Sequence, residues 1–237
     1  MPIATINGVK LNYVQLDEGD APAREDLVMV HGLATNMAFW YFRYGLQLAK
    51  RFRVTLYDLR GHGRSEMPTS GYSPKILAGD LAGLMDHLRI ERAHLMAHSF
   101  GGVVALNFAC AQPERVRSLV LADSHFSAGR EVQQREEWSF SRKVQPVLDR
   151  MQAGLSTSDP YFGPKLLTRV AEWQLHGREV PAELVDLVRP LLGRTGKRTS
   201  AEWLALMNTT TAEAEMLRAV RLPLERLRGL HFPIVAM

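Results

Sequence analysis

The stretch His94–Ala109, HLMAHSFGGVVALNFA, decides how the rest of the chain is read. It runs from an apolar strand-like segment (Ala93–Ala97) through Ser99 into a segment that is apolar nearly all round until Gln112-Pro113 stops it. A serine nucleophile must project from a rigid support, with N–H groups aimed at the oxyanion that forms. A sharp turn from the end of a strand into a helix supplies both, and its crowding demands small residues two before and two after the serine. Ala97 and Gly101 hold those places, with Gly102 following. Alanine replaces the commoner glycine at the first of them, a minor departure because it is the next smallest residue.

Working outward, the neighbouring segments obey an α/β grammar. DLVMVHG from Asp26, RVTLYD at Arg53–Asp58 and VRSLVLAD at Val116–Asp123 are nearly continuous apolar runs, as expected of strands covered on both faces. Helical segments separate them. Asn36 can cap one that carries Phe39, Trp40 and Leu46, and Ser73-Pro74 reads as an N-cap followed by proline at the first helical position. The helix from Pro74 sets Leu77, Leu81, Leu84, Met85 and Leu88 on one face. This alternation predicts a doubly wound, mostly parallel sheet. Before it, ATI and VKLNYVQL flank Asn7-Gly8, a strong two-residue hairpin signal.

After Asp123 the rhythm changes. Residues 126–225 carry helical patterning with no convincing strand, and HFPIVAM (His231–Met237) reads as a further buried strand. The expected organisation is an N-terminal core (1–125), a helical insertion (126–225) and a seventh core strand in 226–237. Trp138, Trp173 and Trp203 fall in the insertion, where they line a substrate cavity or form its own core. Trp40 is the better pocket candidate.

Composition narrows the function classes. The chain has 237 residues, 46% hydrophobic and 23% charged, an ordinary globular make-up. Its 29 basic and 25 acidic residues are scattered, so the net charge of +4 marks no nucleic-acid surface. A single cysteine, Cys110, excludes an internal disulfide and fits a small core hydrophobe in a reducing compartment. No signal-peptide pattern opens the chain and no segment is long and apolar enough to span a bilayer, so a cytoplasmic protein is expected. No pair of histidines has ligand spacing, so no metal or other cofactor is expected. The partner expected is a small-molecule substrate; the oligomeric state stays open.

Four motifs in order give a family resemblance. HGLATN (His31–Asn36) follows the third strand, DLRGHGRS (Asp58–Ser65) the fourth, AHSFGG (Ala97–Gly102) the fifth, and LVLAD (Leu119–Asp123) forms the sixth. In this the chain resembles the cap-bearing branch of the α/β-hydrolase superfamily. The resemblance implies Ser99 as nucleophile and the backbone N–H groups of Leu33 and Phe100 as the oxyanion hole, reinforced by the helix N-terminus at Phe100. A serine, where epoxide hydrolases and dehalogenases of this architecture use aspartate, implies acyl transfer to water. An ester, lactone, thioester or C–C ketone is then the substrate. The alternative is a non-catalytic homologue that binds a small ligand under the helical cap.

The partners of Ser99 are harder to find. His31 and His62 are expected to hold loop geometry, and His98 to point away across the turn. The resemblance puts the acid after the seventh strand and the base after an eighth, and this sequence stops at Met237. The expectation is therefore of a portion of a longer hydrolase, with acid and base beyond Met237. Within the chain, Asp123 and His125 are the possible substitutes. His231, at the start of the seventh strand, should lie more than roughly 10 Å below the catalytic edge, at about 3.3 Å per residue.

Overall fold

In the computed structural model, residues 1–18, 24–124, 139–159, 161–178, 180–192, 196–217, 222 and 224–237 are described. The chain opens with β1 (Ile3–Ile6) and β2 (Val9–Leu16), an antiparallel hairpin whose Ile6↔Val9 pair leaves Asn7 and Gly8 as the turn. Both turn residues have positive φ (50° and 79°), the conformation that Asn-Gly supplies most readily. β3 (Asp26–Val30), β4 (Arg53–Tyr57), β5 (Ala93–His98), β6 (Val116–Ala122) and β7 (Ile234–Ala236) complete a seven-stranded sheet in the order β1-β2-β4-β3-β5-β6-β7. From β4 to β7 every pairing is parallel. β3, central and buried at every position, is the continuous apolar run of the sequence.

Two layers cover the sheet. On one face α3 (Pro74–His87) and α4 (Phe100–Ala111) pack Leu77, Leu81, Leu84, Val104 and Phe108 against Val28, Leu95 and Leu119. Ser73 caps α3, its hydroxyl accepting the Ile76 N–H at 3.4 Å, with Pro74 at the first turn. On the other face Met37 and Trp40 pack on Leu27, Met29, Val54 and Leu56. The helix expected there is broken into α1 (Ala38–Trp40), a π-helical turn (Tyr41–Gly45) and α2 (Leu46–Leu48). Asn36 Oδ1 accepts the Ala38 N–H at 3.0 Å, so the expected cap residue does receive the first helical amide.

Between β6 and β7 the described elements are helical: α5 (Ser139–Arg150), α6 (Phe162–Leu175), α7 (Ala182–Leu192), α8 (Lys197–Thr209), α9 (Ala212–Leu217) and α10 (Leu224–Arg228). Val144, Val147, Leu148, Phe162, Val170 and Trp173 form a cluster of their own. Trp203, Leu206 and Met216 instead join the main core. Glu215 fastens this region to the chain before α3, accepting the N–H groups of Gly71, Tyr72 and Ser73 at 3.0, 2.7 and 3.1 Å. His125 and Trp138 lie outside the described residues.

β7 is shorter than the sequence promised and is not the buried strand expected, all three of its residues being exposed. Pro233 has no N–H to give, so only its carbonyl joins the ladder, accepting from Leu119 N–H at 2.9 Å, and the strand starts at Ile234.

Candidate active site

Ser99 sits between β5 and α4 with φ 52° and ψ −121°, a conformation that costs a side-chain-bearing residue on the order of 1–3 kcal/mol. Neighbouring backbone over-determines it. The Ser99 N–H donates to Ala122 O and its carbonyl accepts from Gly102 N–H, both at 2.9 Å. Gly101 is required by space: a Cβ there would lie 2.5 Å from the carbonyl oxygen of His31 and 2.7 Å from that of Val30. The helix thus enters against the end of β3, and the serine stands at the junction.

The loop after β3 lies on the same junction. A Cβ on Gly32 would be 3.0 Å from both Ser99 Cβ and His98 Nδ1, so the bare backbone of Gly32 is what lets the loop approach. Leu33 follows. Among the described residues, neither its N–H nor that of Phe100, the first residue of α4, donates to any acceptor. Orphan amides are normal at a helix start; here a second one stands on the facing loop.

Buried polar groups hold that loop. The His31 ring is fully enclosed, accepting Leu59 N–H at Nε2 (3.0 Å) and donating from Nδ1 to Gly32 O (2.7 Å). Burial holds its pKa below the ordinary histidine value, which keeps it neutral and fixes that tautomer. Asp58, at the end of β4, is 2% exposed and accepts from Asn12 Nδ2 (2.7 Å), Met37 N–H (2.8 Å) and Arg64 N–H (2.9 Å). One carboxylate therefore ties the hairpin, the loop after β3 and the loop after β4. Just beyond it, Arg60 makes a two-pronged buried pair with Asp80 of α3, at 2.6 and 2.7 Å. The motif at 58–65 marked these residues, but nothing in it named Asn12, Met37 or Asp80 as partners.

The described histidines near the serine are occupied or turned aside. His98 stacks on Phe39 (centroids 4.3 Å apart, planes at 22°) and meets Trp40 edge-on at 6.3 Å. Neither of its ring nitrogens has a partner among the described residues, and burial pushes its pKa down to about 4, against the pull of Asp123. His62 is likewise held at about 4 by burial, with its Nδ1 on Arg60 O at 3.1 Å. No described residue accepts a hydrogen bond from Ser99 Oγ. Asp123 directly follows β6 with φ 47°, its N–H on Met237 O at 2.8 Å.

Trp40 is a core residue, 1% exposed, its indole N–H on Val30 O at 2.9 Å. A small cavity of about 10 Å³ instead touches the loop after β3 at Ala34, enclosed by Leu167, Val170 and Ala171 of α6 and Thr199, Ser200 and Trp203 of α8. Helical periodicity placed those side chains on helix faces but could not say which face met Ala34. Among the described residues no group of three or more His, Cys, Asp or Glu side chains is gathered for a metal ion, and no helix is long and apolar enough to cross a membrane.

Fold and junction together define a class. Residues 27–150 match the model of the alpha/beta hydrolase fold family, and the chain belongs to that family. Over 125 residues (53% of this chain, 45% of the relative) it is 34% identical to 3-oxoadipate enol-lactonase 2 of Acinetobacter baylyi. Over 122 residues (51% and 32%) it is 39% identical to the dihydrolipoyllysine-residue acetyltransferase component of the acetoin cleaving system of Pseudomonas putida. The matches thus span less than half of these curated relatives. Among solved structures, the enol-lactonase from Burkholderia xenovorans LB400 superposes with a TM-score of 0.57 at 23% identity, over 99% of this chain and 80% of that one, a likeness of fold.

Proposed function

We propose that the protein is a serine hydrolase of small esters or lactones, working through an acyl-enzyme on Ser99. The observation that carries this is the junction itself. A serine held at φ 52° faces a loop so close that a Cβ on Gly32 would lie 3.0 Å from its own Cβ, and among the described residues both flanking amides, Leu33 and Phe100, are unspent. Ser99 Oγ attacks the carbonyl carbon, and those two N–H groups hold the oxyanion as the alcohol leaves. Water then releases the acyl group by the reverse route. The enol-lactonase relative supports a small ester or lactone as substrate. The helices between β6 and β7 act as the cap, with α6 and α8 reaching the loop after β3 at Ala34.

Proton transfer needs a group other than His31, His62 or His98, each fixed in another role. Within this sequence the pair to examine is Asp123 with His125. A non-catalytic, ligand-binding reading is favoured by one observation, that no described residue takes the Ser99 hydroxyl proton. The test is hydrolysis of short p-nitrophenyl esters and of a γ-lactone by the wild type and Ser99→Ala. The hydrolase reading expects turnover that falls at least about 1,000-fold in the variant. Equal rates in both would overturn it, and saturable ester binding without turnover in the wild type would establish the binding reading.

A further inference from the structure

The parallel ladder between β5 and β6 has one irregularity. Ala93 pairs with Val116 but His94 pairs with Ser118, so Arg117 is an extra residue in β6. Bulges are rare between parallel strands, and where they occur they re-aim side chains. This one sets Ser118 directly beside His94, five residues along β5 from Ser99 and therefore roughly 16 Å away at strand spacing.

The side chains brought together form a hydrogen-bonded chain. Ser118 Oγ lies 2.7 Å from His94 Nδ1, and His94 Nε2 lies 3.1 Å from Glu25 Oε2. Arg117 reaches the other carboxylate oxygen, Oε1, at 3.0 Å. The His94 hydrogen bond, together with the charges of Arg117 and Arg92, holds the Glu25 carboxyl below its usual range despite some desolvation. An ionised Glu25 only accepts, so the imidazole proton sits on Nε2 and Nδ1 is left to accept the Ser118 O–H. The edge of the Phe52 ring, 5.5 Å from the imidazole, fixes its plane. Hydroxyl, base and orienting carboxylate are thus in the order and at the distances that activate a nucleophile. The site is open to reagents, with the His94 side chain 25% and that of Glu25 52% exposed.

We propose that Ser118, with His94 as its base, is a second nucleophilic serine that takes activated acyl or phosphonyl donors independently of Ser99. Oγ forms the new bond to carbonyl carbon or phosphorus, its proton passes to His94 Nδ1, and the leaving group departs with the electron pair. The imidazolium formed is held by Glu25. The next amide in the strand, Leu119 N–H, is spent on Pro233 O, so it cannot serve Ser118 as the Phe100 amide is proposed to serve Ser99. That restricts it to donors with a good leaving group.

The test removes the first serine. Folded Ser99→Ala protein is treated with a fluorophosphonate, in which attack at phosphorus expels fluoride, and the adduct is mapped. Trypsin separates residues 93–115 from residues 118–130, so the two serines are read on different peptides. An adduct on Ser118 is expected, forming roughly 100-fold more slowly once His94→Gln is added. Glu25→Gln, which alters only a partly exposed side chain, is expected to slow it as well and serves should His94→Gln lose the fold. No Ser118 adduct in folded protein, or a rate indifferent to both substitutions, overturns the proposal.

Discussion

Asp58→Asn removes one charge from the centre of the loop system without changing its shape. The carboxylate accepts two donors at Oδ2 (Asn12 Nδ2 and Arg64 N–H) and one at Oδ1 (Met37 N–H). In the variant the better orientation keeps the amide oxygen toward the two donors and turns its NH2 onto Met37 N–H. One buried donor then loses its acceptor, at about 1–3 kcal/mol, and two charge-assisted bonds become neutral, at roughly 1 kcal/mol each. A total of about 3–5 kcal/mol corresponds to a fall in Tm of roughly 6–20 °C for a chain of this size. Thermal unfolding followed by circular dichroism at pH 7 measures it. Ester turnover should fall further than the unfolded fraction explains, because Met37 anchors the chain that carries Leu33. A Tm within about 2 °C of wild type, roughly the least shift that a 1 kcal/mol effect gives, would refute the reasoning.

Three further outcomes are expected. Gly101→Ala meets two carbonyl oxygens of rigid backbone and Gly102→Ala meets Ser124, whose Cβ at 2.5 Å cannot rotate away, so each should destabilise by about 1–3 kcal/mol; a loss under about 0.5 kcal/mol for either in urea unfolding would contradict this. Asp80→Asn strands the buried Arg60 guanidinium and should cost about 3–5 kcal/mol, read from the same curves; a loss under 1 kcal/mol, roughly that of an exposed pair, would refute it. His62 and His98 have folded pKa values of about 4, below the ordinary 6.5, so the unfolded chain binds more protons between those values. Stability should therefore fall as pH drops from 6.5 toward 4, by up to about 1.4 kcal/mol per pH unit for each group. His98→Gln should make that slope shallower; an unchanged slope would show that His98 is not held neutral.

What could be read from the sequence was local. Asn7-Gly8, Ser73-Pro74 and the small residues around Ser99 each answer a backbone constraint within a few residues, so each was visible before the fold was known. The apolar runs of β3 to β6 were visible because strands covered on both faces need no alternation. Other features depend on what arrives from elsewhere in the chain. Nothing near Tyr41–Gly45 punctuates the helix that becomes a π turn there. Trp40 follows the loop after β3, yet its indole is drawn into the core by Val30 O. His94 looked featureless because its partners are set by a strand register and a bulge at Arg117, neither of which is written locally. Asp58 sat in a marked motif, but its donors come from residues 12, 37 and 64.

The claim that Ser99 is the nucleophile is tested most directly by fluorophosphonate treatment of the wild-type protein, with the labelled peptide mapped. A rapid adduct on Ser99, in the peptide of residues 93–115, and its loss in Ser99→Ala are expected. A folded wild type whose 93–115 peptide stays unlabelled, or a label on that peptide that survives Ser99→Ala, would contradict it.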